Sequence, residues 1–452
     1  MSRRAGKQKR SESDDDDALS TAGKVALGVA AAAAGAAIGY FGSRLLSAWL
    51  SEPEEEKQKK CDASKSDDSK CDEAKLPSKD DMVNTDGAHC TPRVTACHMN
   101  TSTHAAVQQP SLHQQLFEYY REYVDIPSDK MQAAQKVADK VTTVVKSHLR
   151  EPNIFKGLAL KIGDLVPFGS MTEGLQVIRP NCFNVMIPMM FGSPCHVEEA
   201  TEHGRKVTGS FVIVVPDDCI SNCDDMQVCD EEQRLVTRKL LDVLQAVIQK
   251  AVEVVSSCHC NIQAPERNAT AVSVAVYADG HDNITVNFVP FVIIDSHLFF
   301  PVADPSWFRA QSDIGGRLWA ESFVRQEKWS IDRFESSVCG HLIVLKILKA
   351  IRMNHREQFG AISSYHLKIL LFHMLEDLPD SCDWDRNAVG ERLIDLLSKL
   401  TEVLREHQMP HYFLQNLNML EDVPLEMCNN LAKFLGKKLA HNDITSLLKR
   451  DY

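Results

Sequence analysis

The spacing of apolar residues changes once along this chain, near residue 337, and that change limits the folds open to it. Before it, "FNVMIPMMF", "GSFVIVVP", "AVSVAVYA" and "NITVNFVPFVII" are short β-rich runs bounded by turns. One long helix, about Glu231 to Val255, is expected among them. After it, "VCGHLIVLKILKAIRM", "YHLKILLFHMLEDL" and "AVGERLIDLLSKLTEVLREH" each carry an apolar stripe at helical spacing. Two helices should lead the domain. Leu112, Leu116, Tyr119, Tyr120 and Tyr123 mark the first, and Ser128 reads as the N-cap of a second that ends near Arg150. The pattern predicts an α+β domain: a mixed α/β lobe over residues 111–336 and a helical lobe over 337–452. A ligand cleft is expected between them.

The N-terminal part reads differently. Residues 1–23 form a polar tail, 24–46 an apolar span and 47–110 a linker. No charge interrupts Val25 to Ser43, between Lys24 and Arg44. At ~1.5 Å per residue such a helix approaches the ~30 Å hydrocarbon core of a bilayer. Leu45, Leu46, Trp49 and Leu50 extend the apolar character past Arg44, whose side chain can snorkel. The acidic preface "SESDDDD" argues against both a signal peptide and a matrix presequence. A single-pass transmembrane anchor is the expectation. Its Ala/Gly-rich, moderately apolar character and flanking Lys24 and Arg44 point to the mitochondrial outer membrane. The large C-terminal domain should then face the cytosol. Gly35 and Gly39 form a G-x-x-x-G that allows pairing of two copies. Residues 51–110 are dominated by Glu, Asp, Lys, Ser, Thr and Gln, too polar to offset their ordering entropy, and read as a disordered tether.

Charge and cysteine usage exclude some classes. A net charge of −12 argues against a nucleic-acid binder that works by bulk charge. The 14 cysteines, from Cys61 to Cys428, lack the compact framework of a disulfide-stapled secreted domain. Cys219, Cys223 and Cys229, and the later Cys258-His259-Cys260, are candidate zinc ligands, but neither group has paired C-x-x-C spacing.

The stretch "GSMTEGLQVIRPNCFNVMIP", residues 169 to 188, carries the functional reading. A Gly-Ser turn, Gly169 and Ser170, precedes a strand by about a dozen residues. In this order the chain resembles the nucleotidyltransferase fold of cyclic GMP-AMP synthase and the male-abnormal-21-like proteins, over roughly residues 111–452. In that fold two carboxylates at alternate strand positions, and a third on a later strand, grip two Mg²⁺ ions. The matching positions here are Cys182, Asn184 and Asn287, on strands expected over Phe183–Pro188 and Asn283–Phe291, and none is a carboxylate.

The helix "VLKILKAI", the segment "RLWAESFVRQE" and the strand "ITVNFVPFV" narrow the resemblance. They are similar to the mitochondrial dynamics proteins, outer-membrane receptors for a dynamin-related fission GTPase. This resemblance implies a degenerate, non-catalytic domain that needs no cofactor and binds ADP or GDP without metal. It implies nucleotide contacts at Gly169, Ser170, Cys182, Asn184, Ser322, Arg325 and Lys346. The implied partners are the GTPase and the outer mitochondrial membrane, with no nucleic acid. The acidic segment "DDCISNCDDMQVCDEEQ" does not look like those receptors' docking loop, and Ser193 to Lys206 is the alternative. Other readings are an active anchored nucleotidyltransferase, or another silent member resembling the inositol-trisphosphate-receptor-interacting proteins.

Overall fold

A computed structural model of the chain describes residues 110–450, apart from 152–153, 156, 221–227, 256–260, 278–282, 306–311 and 335–339. The predicted tail, apolar span and nearly all of the linker lie outside these residues, as do Cys223 and the Cys258-His259-Cys260 group. Among the described residues no helix is long and apolar enough to cross a membrane.

Among the described residues, chain order begins with α1 (Leu112–Tyr119), which runs into a π turn (Tyr120–Val124), and α2 (Ser128–Leu149). Five strands follow: β1 (Leu160–Ile162), β2 (Val166–Phe168), β3 (Cys182–Phe191), β4 (His196–Glu202) and β5 (Arg205–Val214). After α3 (Thr237–Val255) come β6 (Asn261–Ile262), β7 (Glu266–Arg267), β8 (Val272–Tyr277), β9 (Ile284–Ile294), β10 (His297–Pro301) and β11 (Trp319–Glu321). The rest is helical: α4 (Val324–Ile331), α5 (Gly340–Asn354), the short α6 (Arg356–Phe359), α7 (Ser364–Asp377), α8 (Val389–Glu406) and α9 (Leu425–Ala440).

All the strands join one sheet, with the path β1-β3-β9-β10-β11-β5-β4. β3 and β9 lie at its centre and run parallel, with Asn184 opposite Asn287. β2 pairs antiparallel with the start of β3, and β8 with the first half of β9. Period-two alternation splits the side chains cleanly. Phe183, Val185 and Ile187 of β3, with Val286 and Phe288 of β9, face α2 and α3. Met186, Val289, Phe291, Leu298 and Phe300 cover the other face, together with Phe168. Asn184 and Asn287 alternate onto this second face.

Two expected helix starts differ from the structure. Ser128 is the first helical residue of α2, with Pro127 at the cap position and no side-chain cap bond. The long helix starts at Thr237 rather than near Glu231. The Asp230 carboxylate explains the delay: it accepts from the backbone N–H groups of Glu232 and Arg234, and from Nε of Arg234 and of Arg317. These bonds hold a turn, with Gln233 at φ 62°, that a helix would break. Ser193 to Lys206, the alternative docking loop, holds strand β4, a two-residue turn and the start of β5. Cys219 and Cys229 are buried in the core under the sheet.

The helical lobe is built around α5, whose residues are buried on nearly every side. α7, α8 and α9 contribute Leu371, Leu397 and Leu431 to the same core. So do Leu116, Tyr119 and Val124. By packing, the first helix therefore belongs with the C-terminal helices, although chain order places it ahead of the α/β lobe. Gly340 opens α5 against backbone: a Cβ there would lie 2.1 Å from the Trp384 carbonyl oxygen. Gly340→Ala is expected to lower stability by about 1–3 kcal/mol through overpacking, outweighing a helix-propensity gain of about 1 kcal/mol. The midpoint of urea unfolding checks this.

Candidate functional site

Strand pairing builds the site from residues distant in sequence. β2 ends at Phe168, directly opposite Asn184. Gly169 then takes φ 79°, where glycine bears no Cβ penalty, and turns the chain toward the helical lobe. The Glu173 amide donates to the Gly169 carbonyl (3.1 Å) and the Leu175 amide to the Ser170 carbonyl (2.7 Å), closing a helix-like turn. Lys349, from the centre of α5, meets this turn. Its Nζ donates to Ser170 Oγ (3.0 Å) and to the Leu175 carbonyl. Burial among apolar neighbours pushes the Lys349 ammonium down to about 7.

Beside the turn lies a row of polar side chains across three strands. Asn184, Asn287 and Ser273 are successive cross-strand neighbours on β3, β9 and β8. Asn287 Nδ2 donates to Asn184 Oδ1 (2.9 Å) and to Cys182 Sγ (3.4 Å), and Ser273 Oγ donates to Asn287 Oδ1 (2.7 Å). The three positions where the fold's metal-binding acids are expected therefore meet in space, and they bond to one another. An amide has a carbonyl to offer a cation but no charge. Among the described residues no group of three or more His, Cys, Asp or Glu is placed to hold a metal ion.

The nearest acid is engaged elsewhere. Glu173, from the same turn, is buried and points at Lys368 of α7, which donates to both its oxygens at 2.7 and 2.8 Å. Lys368 also holds Glu327 of α4 at 2.7 Å, and Tyr365 donates to the second Glu327 oxygen at 3.0 Å. This buried cluster joins the turn after β2, α4 and the helical lobe. Burial disfavours the Lys368 ammonium, but the two carboxylates outweigh it and hold its pKa above the usual lysine value.

The seven expected contact residues divide into groups. Gly169, Ser170, Cys182 and Asn184 gather at the turn and the polar row. Ser322 follows β11, is buried, and lines a different recess of the cleft. Arg325 is half-buried in the first turn of α4. Lys346 turns away: its Nζ pairs with Asp125 and lies over the Tyr120 ring, 5.2 Å from the centroid. Its neighbour one turn on, Lys349, occupies the place expected for Lys346. Lys349, Lys368 and Glu327 were missed in the sequence. The available signal was composition: a lysine inside a helix that is apolar all round must find a buried partner.

A parallel central strand pair, a glycine turn against it and a helical lobe closing over the open sheet face define a two-lobed nucleotidyltransferase-like domain. Residues 171–328 match the Mab-21 protein nucleotidyltransferase domain. Residues 341–437 match the Mab-21 protein HhH/H2TH-like domain. The chain therefore carries both Mab-21 domains and has the Mab-21-like nucleotidyltransferase fold.

Proposed function

We propose that this chain is a catalytically silent member of its fold. It would act as an adaptor that binds a nucleoside diphosphate without metal and recruits a dynamin-related GTPase to the mitochondrial outer membrane. The observation that carries the silent reading is the Cys182–Asn184–Asn287 cluster. Three neutral groups hydrogen-bonded to one another supply no negative charge for a divalent pair. The lost acids leave the opposite preference at the turn. Ser170 offers a hydroxyl and Lys349 a compact cation, a pair suited to phosphate oxygens. ADP and GDP are the natural candidates. The adaptor half of the reading rests on the likeness to the mitochondrial dynamics proteins, on the uncharged run Val25 to Ser43 and on the polar linker.

Two experiments test the halves separately. Calorimetric titration of Mn²⁺ into the full chain is expected to give no binding. Replacing Cys182, Asn184 and Asn287 together by Asp should create it. Mn²⁺ binding by the unaltered chain, with turnover of ATP or GTP, would instead support an active nucleotidyltransferase. For the adaptor half, the tagged full chain should gather the GTPase on mitochondria, and a version lacking residues 1–50 should not. A chain that reaches mitochondria and leaves the GTPase in the cytosol would end that reading.

A further inference from the structure

The sheet ends on one side at β4, the last strand of its path. One edge of β4 pairs with β5, from His196 opposite Val214 to Glu202 opposite Arg205. Among the described residues the other edge meets no strand, and no backbone hydrogen bond joins β4 to anything but β5. Such an edge presents a row of N–H and C=O groups that water or another chain must satisfy. β1, at the opposite end of the path, has only three residues, whereas β4 has seven, enough to pair with an added strand.

The side chains narrow what can add there. Residues 193–204 hold Glu198, Glu199 and Glu202 and no lysine or arginine. Glu202 is buried, but the Glu198 and Glu199 side chains are 56% and 64% exposed. Being consecutive, these two point to opposite faces of the strand. Glu198 has His196 beside it at 3.5 Å, and Glu199 pairs with Lys206 across the hairpin. Exposed pairs of this kind contribute little, so both carboxylates stay open to a further partner. A second copy of the chain would bring the same glutamates and set acid against acid. A segment with lysine or arginine at alternate positions brings the opposite charge.

The Glu199 side of the strand adds a second feature. The ladder slips between Glu199 and Thr201, where residues 207–210 of β5 bulge, with Gly209 at φ 71° facing Leu417. A recess of about 570 Å³ opens between this bulge and the loop 413–417. Glu199, Lys206, Phe211, Phe413 and Leu417 are among its walls, and none of the seven expected nucleotide contacts is. A side chain that crosses β4 beside Glu199 reaches it.

We infer that β4 is a docking edge for an extended segment of a protein partner, with basic residues on the face of Glu198 and an apolar or aromatic residue directed into the recess beside Glu199. Main-chain hydrogen bonds supply the affinity of an added strand, and the alternate side chains its selectivity. The edge is independent of the Ser170–Lys349 turn and of the function proposed above.

The probe is a fluorescein-labelled heptapeptide in which lysine alternates with valine or phenylalanine, titrated with the full chain and followed by anisotropy. It should bind, and the same peptide with glutamate in place of lysine should not. Two further forms carry N-methyl groups on the amides of one edge or of the other. Only one edge can bond to β4, so one form should weaken by about tenfold or more and the other should keep its affinity. Glu198→Lys should weaken the first peptide by about threefold to tenfold. Glu402→Lys, the same change of charge at an exposed position of α8, should not. Both variants should keep the thermal midpoint of the unaltered chain, because both positions are exposed. Equal weakening by the two variants would reduce the binding to bulk charge and overturn the inference. So would equal affinity of the two N-methylated forms, or no binding of the first peptide. A dimer of the chain that the peptide dissociates would also overturn it, because the occupant would then be a second copy.

Discussion

Replacing Lys368 by methionine is expected to destabilise the folded chain by about 3–5 kcal/mol at neutral pH. Lys368 holds Glu173 and Glu327 together in a buried cluster, with N–O distances of 2.7 to 2.8 Å. Methionine fills similar volume, so the loss is electrostatic. Two buried carboxylates would face each other without a cation. At least one would have to take up a proton, at a pKa raised by burial and by its neighbour; burial first, and then Glu173, already raise that of Glu327 even with Lys368 in place. The sign of the pH dependence follows. In the variant the folded state binds more protons than the unfolded chain above the ordinary carboxylate range, so its stability falls as pH rises. The deficit should be largest near pH 8 and shrink toward pH 5. Urea unfolding at the two pH values measures it. Adding Glu173→Gln and Glu327→Gln to Lys368→Met should recover most of the loss. An unchanged midpoint for the single variant would mean that the cluster does not hold the lobes together.

ADP should bind the full chain more weakly as pH rises from 7 to 9, toward a limit of tenfold per unit. Lys349 sits in a protein environment that brings its pKa to about 7. Above that pH the free site holds a neutral amine, and an anion that binds it must bring a proton along. The last ionisation of the ADP phosphates, at roughly pH 6 to 7, is complete by about pH 8, so the slope from there to pH 9 reports the protein. Lys349→Met should weaken ADP by roughly tenfold to a hundredfold near pH 7, the loss of a charge-assisted hydrogen bond of about 1.5–3 kcal/mol. It should also flatten the pH profile. Its stability should fall by about 1–3 kcal/mol, less than for Lys368→Met, because Lys349 holds no carboxylate directly and the loss is the donor to the Leu175 carbonyl and the Ser170 hydroxyl. A steep profile that survives Lys349→Met would assign the proton to another group. Lys346→Met is the natural comparison: it should break the pair with Asp125 and leave the ADP profile in place.

Several features were legible in the residues because they depend on local periodicity. The alternation in "FNVMIPMMF" and "NITVNFVPFVII" assigns Asn184 and Asn287 to one sheet face, and the structure pairs them in register. Strand ends ran further than expected, to Phe191 and Ile294, because apolar neighbours on both faces favour continued pairing. α3 starts later than helical spacing predicts because Asp230 captures backbone amides that spacing ignores. The first helix carries an ordinary apolar stripe, and nothing in that stripe says which lobe it will cover.

The two lysines of "VLKILKAI" show where local pattern ends. They stand three residues apart on a helix that is buried all round, so spacing cannot say which one faces the Gly-Ser turn. The sequence alone places Cys182 and Asn184 on one face of their strand and shows that they and Asn287 are not acids; that these are the positions of the fold's metal acids is what the resemblance implies. Tertiary packing alone decides the partner of each buried charge. Lys349 meets Ser170 from 179 positions away, and Lys368 meets Glu173 from 195. A charge taken out of water must find a counterpart, but the choice among distant candidates depends on how sheet and helices close over it.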